Sequence, residues 1–304
     1  MADHHPIIAR FTPFIGTIPP YFFSDFLGSL ISHEFIAGFV APTLKPQVGT
    51  QPPPSFDEEY FEWIDLLEAV DEAKDSFTMV ELGAGFGRWV VRGALAARQR
   101  GIPVRLAAVE AEPTVYQWMI KHFVINGLNP EDHLLLKGAV TEIPGEVRFN
   151  IGAPHGSPWE KDPNAWYGQH LTKDYDVANT TSVADGMYAG HPVTRHPSGW
   201  RSIGVPAVSL ASILAKYGRI DLIDMDIEGE ELPTVTANLP ALNRQVKRLH
   251  IGTHGVEIEA GLRQALAANG WKCGADYSVF SKTETPFGEI SFENGVQSWV
   301  NPRL

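Results

Sequence analysis

Short apolar runs alternate along the chain with segments of helical periodicity. Runs that are typical of buried strands lie at residues 77–82, 104–109, 133–140, 145–151, 220–229 and 246–252. Helical patterns lie at residues 88–100, 113–126, 208–217, 230–239 and 257–269. The C-terminal residues 271–280 and 287–300 have the pattern of two strands joined by a loop. This order predicts an α/β fold with a Rossmann-like, doubly wound, mostly parallel seven-stranded sheet and an antiparallel C-terminal strand.

Residues 1–75 precede this pattern, and residues 1–55 are rich in aromatic residues and proline. We expect them to form an N-terminal arm with helical and irregular parts. Helices are predicted over residues 24–39 and from Ser55 onward, the second with an apolar stripe formed by Tyr60, Phe61, Ile64, Leu67 and Val70. We expect this arm to pack on a catalytic domain of residues 76–304 or on a second subunit, so a homodimer is favoured.

Within that domain, residues 152–204 break the rhythm of strands and helices. Glycine and proline accompany His155, His170, His191 and His196. A long segment of this kind inside a domain is usually functional or disordered, and its aromatic content argues against disorder. We therefore expect an irregular insertion that shapes the substrate pocket. Its aromatic residues are Trp159, Trp166, Tyr167, Tyr175, Tyr188 and Trp200.

Composition restricts the class of ligand. The 304 residues are 44% hydrophobic and carry a formal net charge of -12. No cluster of lysine and arginine offsets this charge, which argues against a nucleic acid or an anionic membrane as partner and favours a small-molecule substrate. Cys273 is the only cysteine, so disulfides and thiolate metal cages are excluded. Because neither a secretion signal nor an apolar run of membrane-spanning length is evident, we expect a cytoplasmic protein.

The most informative stretch is the turn after the first buried strand, where Gly83, Gly85 and Gly87 follow Glu81. A strand that turns at once into a helix needs backbone angles that side chains disfavour, and a ligand across the turn needs bare backbone. An acidic residue at the strand end would repel a diphosphate but suits a cation or an amino group. S-adenosylmethionine carries both, as a sulfonium and an α-ammonium, and the turn resembles motif I of the class I methyltransferases. This resemblance implies S-adenosylmethionine as the cofactor.

Glu110 ends the next strand, at a distance from Glu81 that suits a βαβ unit. A carboxylate in this place can accept hydrogen bonds from both hydroxyl groups of a ribose. The two acidic strand ends together indicate a nucleoside cofactor more strongly than either does alone.

These motifs resemble the FkbM-type family of class I S-adenosylmethionine-dependent O-methyltransferases. The resemblance covers residues 77–280 and rests on residues 80–87, 109–113, 126–127, 138–140 with Gly145, and above all 220–231. It implies that the methionine end of the cofactor lies against Glu81, Gly83, Gly85 and Gly87. It also implies that Glu110 holds the ribose, that Gly138 and Ala139 border the adenine, and that Asp226 lies beside the methyl group. Ala84 and Ala111 complete the expected cofactor-binding residues.

One position departs from the family pattern, since Asp224 stands where lysine is usual. Unless the strand bends before Glu228, Asp224, Asp226 and Glu228 share one face. The neighbouring strand brings His250 and His254 to the same place. Carboxylates crowded in this way must be protonated, paired with a cation or bound to metal. A divalent metal that orients a substrate hydroxyl is one candidate. The alternative gives Asp224 a backbone or arginine partner and makes His250 a satisfied core residue.

The predicted reaction is methylation of a hydroxyl group on a small molecule or a sugar-containing natural product. A substrate oxygen would attack the sulfonium methyl in line, with His254 as the first candidate for the general base and Asp226 as the second. N- or C-methylation is the first alternative, since the fold fixes the cofactor more firmly than the acceptor. A non-catalytic S-adenosylmethionine-binding protein is the second, and a nicotinamide dehydrogenase is disfavoured by the glycine spacing.

Overall fold

The computed structural model describes residues 3–158, 160, 166–173 and 182–304. Its strands are β1 (Ile15–Ile18), β2 (Phe22–Ser24), β3 (Leu30–Ser32), β4 (Gln47–Thr50), β5 (Phe77–Leu82), β6 (Val104–Glu110), β7 (Leu134–Lys137), β8 (Ala139–Val140), β9 (Glu146–Ile151), β10 (Val183–Tyr188), β11 (His191–Arg195), β12 (Arg201–Val208), β13 (Ile220–Met225), β14 (Val246–Thr253), β15 (Lys272–Tyr277), β16 (Ser281–Thr285), β17 (Gly288–Phe292) and β18 (Gly295–Val300). Its helices are α1 (Tyr60–Glu72), α2 (Arg88–Arg100), α3 (Pro113–Ile125), α4 (Leu210–Leu214), α5 (Glu231–Gln245) and α6 (Val256–Ala268). Short 3-10 helices occupy Ile8–Arg10, His33–Ile36 and Pro130–Asp132.

A seven-stranded sheet in the order β15-β18-β14-β13-β5-β6-β7 forms the centre of the fold. Parallel pairs join β7, β6, β5, β13 and β14, whereas β18 is antiparallel to both of its neighbours. The predicted Rossmann-like fold class is therefore confirmed. The chain moves outward from β5 through β6 to β7 and then returns to the other side of β5 at β13. This switch opens a crevice at the carboxyl ends of the strands, where ligands bind in folds of this kind.

Helices cover both faces of the sheet. Phe77 and Met79 of β5 belong to a core that they share with α1, α2 and the N-terminal arm. Val80 and Leu82 belong to the opposite core, which contains residues of α4, α5 and α6. This alternation buries every residue of β5, as expected for a central parallel strand.

A second sheet corrects the prediction for residues 152–204. β12 pairs with β9, β11 and the short β8, and β11 pairs with β10, so the described part of this segment contains three strands. Ala189 and Gly190 have positive φ angles of 47° and 85°, as the two-residue turn of the β10–β11 hairpin requires. Glycine and proline inside these strands conceal the apolar alternation in the sequence. Two of the predicted aromatic residues, Trp159 and Tyr175, lie outside the described residues.

The single strand predicted over residues 133–140 is divided at Gly138. β7 completes the main sheet beside β6, whereas β8 pairs with β12. A Cβ atom on Gly138 would lie 2.5 Å from the carbonyl oxygen of Pro206. The close approach of the two chains therefore requires glycine at this position.

The helix predicted over residues 24–39 is wrong, because β2, β3 and a 3-10 helix take its place. Asp25 Oδ1 accepts hydrogen bonds from the backbone N–H groups of Leu27 and Ser29, and Gly28 has a φ of 87°. A turn of this kind, closed by a side chain, competes with helix formation. The apolar spacing of the segment did not indicate it.

Two further boundaries differ from the prediction. The helix expected from Ser55 begins at Tyr60, and the C-terminal region has four strands rather than two, because the β16–β17 hairpin lies between β15 and β18. Ile290 and Phe292 of this hairpin pack in one cluster with Phe61 of α1. Among the helices of the described residues, none has the length and apolar character that crossing a membrane requires.

Candidate active site

A cavity of about 1200 Å³ opens at the carboxyl ends of β5, β6, β13 and β14. Gly87 does not line it. That residue N-caps α2 with a φ of 74°, and a Cβ atom there would lie 2.9 Å from Met119 Cγ, so its bare backbone serves the packing of α2 against α3. The other predicted cofactor-binding and catalytic residues all line the cavity: Glu81, Gly83, Ala84, Gly85, Glu110, Ala111, Gly138, Ala139, Asp226 and His254.

The turn between β5 and α2 is crowded from two sides. Gly83 has a φ of 77°, and a Cβ atom on it would come within 1.7 Å of the carbonyl oxygen of Asp226. Gly85 has a φ of 54°, and the ring of Trp166 lies 3.0 Å from the place of its missing Cβ. Both positions therefore exclude a side chain, one against the end of β13 and the other against the roof of the cavity.

Glu81 is buried beneath this turn. Its carboxylate accepts hydrogen bonds from the backbone N–H groups of Trp89 at 3.2 Å and Val90 at 2.9 Å, in the first turn of α2. Burial and the nearby Asp224 carboxylate raise the pKa of Glu81 to about 8, and the two N–H donors oppose that shift. Glu81 thus fixes the start of α2 against the glycine turn while it lines the cavity.

Glu110, at the end of β6, faces the same turn. Its Oε2 accepts a hydrogen bond from the N–H of Gly85 at 2.8 Å, and its Oε1 accepts one from the N–H of Glu112 at 2.7 Å. Burial raises the pKa of Glu110 to about 8, against the effect of these donors. The N–H of Ala111 is a further donor near this carboxyl group, whose two oxygens have four lone pairs in all. Binding of a ribose diol by Glu110 stays a prediction.

A wall of small residues adjoins Glu110. Ala111, Gly138 and Ala139 line the cavity there, and the N–H of Gly138 donates to the carbonyl oxygen of Glu110 at 2.9 Å. The side chain of Phe149 lines the same cavity from the second sheet. A slot with small and apolar walls suits a planar ring.

The acidic residues at the end of β13 and directly after it divide into two groups instead of one row. In the first group, Asp224 lies beside its β14 neighbour His250 and Glu62 of α1, with ligand atoms within 4.8 Å of one another. His250 Nδ1 lies 2.7 Å from Asp65 Oδ2. Burial raises the pKa of Asp224 to about 6, and burial together with the Asp224 charge raises the pKa of Glu62. Two carboxyl groups in such a place can share one proton.

Asp226, Glu228 and His254 form the second group. His254 Nε2 lies 3.2 Å from Asp226 Oδ1 and 3.5 Å from Glu228 Oε2. On the other side of the ring, His254 Nδ1 lies 2.8 Å from Glu231 Oε1. Glu228 has a φ of 50°, a left-handed conformation that few residues with side chains adopt. Since β13 ends at Met225 and the chain turns at Glu228, the strand bends before Glu228, and the three carboxylates do not share one face.

The surrounding carboxylates change the pKa of His254, which is the first candidate for the general base. Burial disfavours a charged imidazole, but the carboxylates of Asp226, Glu231 and Glu228 outweigh it and raise the pKa of His254 to about 11. A histidine of this kind holds its proton at neutral pH. Asp226 has a side chain that is 55% exposed, so a substrate can reach it. The roles of both residues in catalysis stay predictions.

Sequence reasoning missed residues that helices and the arm bring to the cavity. Glu62 lies on α1, and the sign of its role in the sequence was a carboxylate between two aromatic residues of the helix. Arg88 begins α2 and pairs with Glu59 at 2.5 Å. Ile36 and Phe39 of the N-terminal arm also line the cavity, and no sequence pattern pointed to them.

Fold and site together define the class of protein. A Rossmann-like sheet with one reversed strand, a glycine turn after its central strand and an acidic residue at the end of the next strand are expected of class I methyltransferases. Residues 84–268 match the model of the methyltransferase FkbM domain, which is more than half of the chain. The chain therefore belongs to the FkbM methyltransferase family, and the resemblance seen in the sequence is confirmed.

The chain is also similar to individual proteins whose names refer to enzymes. A protein of Jannaschia sp. (strain CCS1) named "Putative methyltransferase" is 26% identical over 261 residues, which cover 86% of both chains. Among solved structures, precorrin-6y C5,15-methyltransferase from Geobacter metallireducens GS-15 is 10% identical with a TM-score of 0.40, over 78% of this chain and 85% of its own. Precorrin 8w decarboxylase from Methanobacterium thermoautotrophicum is 13% identical with a TM-score of 0.40, over 82% of this chain and 92% of its own. At these values the structural similarity carries no functional argument.

Proposed function

We propose that this protein is an S-adenosylmethionine-dependent methyltransferase that methylates a hydroxyl group on a small molecule or a sugar-containing natural product. The observation that carries the proposal is the position of Glu110. Its carboxylate is bonded to the N–H of Gly85 and lies between the glycine turn and the small-residue wall at Gly138. A nucleoside suits this arrangement, because its diol meets a carboxylate while its base enters the slot.

The opposite end of the cavity supports a cationic cofactor. Glu81, Asp224 and Asp226 line that end, close to where the sulfonium and α-ammonium groups would lie. Clustered carboxylates are costly to bury unless positive charge balances them. S-adenosylmethionine brings two such charges, whereas a dinucleotide brings a diphosphate.

An oxygen acceptor is supported by the acidic group at Asp226 and His254. A hydroxyl must lose its proton as the new bond to carbon forms, so a site for hydroxyl methylation needs a proton acceptor or a means to acidify the substrate. Trp166, Tyr167 and Trp200 line the rest of the cavity. Aromatic walls suit stacking on a sugar or a planar ring, which favours a small-molecule acceptor.

Calorimetric titration with S-adenosylhomocysteine tests the cofactor assignment. Glu110→Ala is expected to weaken binding about 10- to 100-fold, since it removes the hydrogen bonds to the ribose diol and the bond that fixes the N–H of Gly85. Glu110→Gln retains one oxygen acceptor and is expected to lose less. Glu131→Gln is the control, because Glu131 is exposed in the 3-10 helix before β7, at the opposite end of the strands. No binding by the wild-type protein would refute the assignment, and equal binding by Glu110→Ala would remove Glu110 from the site.

The acceptor is tested with methyl-labelled S-adenosylmethionine and a panel of alcohols, phenols, sugars and amines. Label that appears in hydroxyl-bearing acceptors supports the proposal, and label confined to amines would replace it with N-methylation. With an acceptor in hand, single-turnover methylation by His254→Ala decides the role of that residue. Full activity in this variant would remove His254 from the chemistry.

A further inference from the structure

The imidazole of His254 has an unmet interaction at the mouth of the cavity. Its side chain is only 11% exposed, and its Nε2 atom is buried without a hydrogen bond to any described residue. Asp226 and Glu228 direct carboxylate oxygens toward this atom, at 3.2 Å and 3.5 Å. A buried nitrogen that lies beside two carboxylate oxygens without a regular hydrogen bond gains free energy when a bound cation joins the three groups. We propose that Asp226, Glu228 and His254 bind a divalent metal ion.

Glu231 orients the imidazole of His254 for metal binding. Its side chain is fully buried, and its Oε1 lies 2.8 Å from His254 Nδ1. The same oxygen accepts hydrogen bonds from the backbone N–H groups of Ile227 at 3.3 Å and Gly229 at 3.0 Å, so the carboxylate is fixed. Histidines that bind metal almost always donate their other ring N–H to a carboxylate, a carbonyl or water. With Nδ1–H donated to Glu231, Nε2 faces the two acidic side chains, and a bound cation takes the place of the Nε2 proton between them.

The distances suit a coordination shell. In an octahedral shell with bonds of about 2.1 Å, neighbouring ligand atoms lie about 3 Å apart. The separations of 3.2 Å and 3.5 Å from His254 Nε2 to the oxygens of Asp226 and Glu228 are close to that value. Two carboxylates and one imidazole, without thiolate, suit an ion of the Mg²⁺ or Mn²⁺ class. All three residues line the cavity, so a substrate in the cavity can reach the bound ion.

The consequence for catalysis rests on the proposed function. A substrate hydroxyl that binds the cation at an open position becomes more acidic. Its proton leaves to water, its oxygen forms the new bond to the methyl carbon, and the carbon–sulfur bond breaks with its electron pair left on sulfur, which yields S-adenosylhomocysteine. Asp226 and His254 then act by holding the cation, and the reaction does not require His254 to take the proton.

Titration with Mn²⁺ tests the site without reference to activity. The purified full chain is stripped with EDTA, desalted and titrated while electron paramagnetic resonance reports the free aqueous ion. The wild-type protein is expected to bind one Mn²⁺ per chain. Asp226→Asn is expected to weaken binding at least tenfold and, because that side chain is 55% exposed, to fold normally. Glu228→Gln, the second variant, is expected to weaken Mn²⁺ binding by a similar factor.

Two control variants locate the ion. Glu62→Gln changes the neighbouring group of Glu62, Asp224 and His250, and Glu131→Gln changes an exposed carboxylate at the far end of the strands. Both are expected to bind Mn²⁺ within threefold of the wild type. The proposal is overturned if the wild-type protein binds no Mn²⁺, if Asp226→Asn and Glu228→Gln bind like the wild type, or if Glu62→Gln alone weakens binding.

S-adenosylhomocysteine titration of the same proteins separates this proposal from the proposed function. Binding of S-adenosylhomocysteine without Mn²⁺ binding by the wild type refutes the metal site and leaves the methyltransferase assignment intact. Mn²⁺ binding that depends on Asp226 and Glu228, without binding of S-adenosylhomocysteine, supports the metal site and refutes the cofactor assignment.

Discussion

At the scale of single residues, His122 shows how the core fixes the state of a titratable group. Its ring is fully buried, with Nδ1 3.1 Å from the carbonyl oxygen of Phe86 and Nε2 3.2 Å from Ser29 Oγ. Because a carbonyl only accepts, Nδ1 carries the hydrogen and Nε2 accepts from the serine hydroxyl. Burial, together with the charges of Arg92 and Arg88, lowers the pKa of His122 to about 3.

Mild acid is therefore predicted to destabilise the fold through His122. The unfolded chain protonates this histidine below about pH 6.5, whereas the folded chain does so only near pH 3. The contribution of neutral His122 to the free energy of unfolding is fully present well above pH 6.5 and is lost as the pH falls through 6.5. At pH 5 the free energy of unfolding is expected to be about 2 kcal/mol lower than at high pH for this reason. Urea unfolding at pH 7 and pH 5 measures the loss. In His122→Gln this part of the pH dependence should vanish, and parallel profiles for the two proteins would contradict the prediction.

At the scale of elements, the turn between β5 and α2 is predicted to tolerate no side chain at Gly83. Gly83→Ala adds a Cβ atom that would lie 1.7 Å from the carbonyl oxygen of Asp226, so β5 and β13 must separate. We expect the free energy of unfolding to fall by about 2–4 kcal/mol. Gly101→Ala is the matched control, because Gly101 also has a positive φ of 70° but nothing lies within 4 Å of its Cβ position. The control should lose only about 1 kcal/mol in urea unfolding, and equal losses would rule out the steric argument.

Elements that the local sequence dictates could be predicted, and those that depend on partners could not. β5, the glycine turn and α2 follow from one apolar run and the residues directly after it. β12 was missed because Gly204 and Pro206 interrupt its apolar pattern, and its pairing with β9 is a long-range contact. The helix expected over residues 24–39 failed because Asp25 closes a local turn and pairs with Arg92.

The same distinction applies to the site. Glu81 and Glu110 lie at or near the ends of consecutive parallel strands, so their positions in the sequence place them at the carboxyl edge of the sheet. Glu62 and Glu231 lie on helices, and the way those helices pack brings them to His250 and His254. No local pattern reports that packing, and these side chains therefore escaped prediction.

At the scale of the whole molecule, the N-terminal arm is part of the cavity wall. Asp25 Oδ2 lies 2.8 Å from Arg92 Nε, and the Arg92 guanidinium lies 4.4 Å and 4.2 Å from the ring centroids of Trp63 and Trp89. Further along the arm, Ile36 lines the cavity. The ion pair therefore links the position of the arm to the shape of the binding site.

Asp25→Ala is predicted to lower the free energy of unfolding by about 3 kcal/mol, since it leaves the buried Arg92 guanidinium without its main partner. It should also weaken binding of S-adenosylhomocysteine, because the arm loses its anchor beside the cavity. Glu34→Gln breaks another ion pair between arm and core, to Lys121, at side chains that are about half exposed. Its effect on urea unfolding should stay within about 0.5 kcal/mol, and binding should be unchanged. If the two variants behaved alike in both measurements, the buried pair would not be what holds the arm against the cavity.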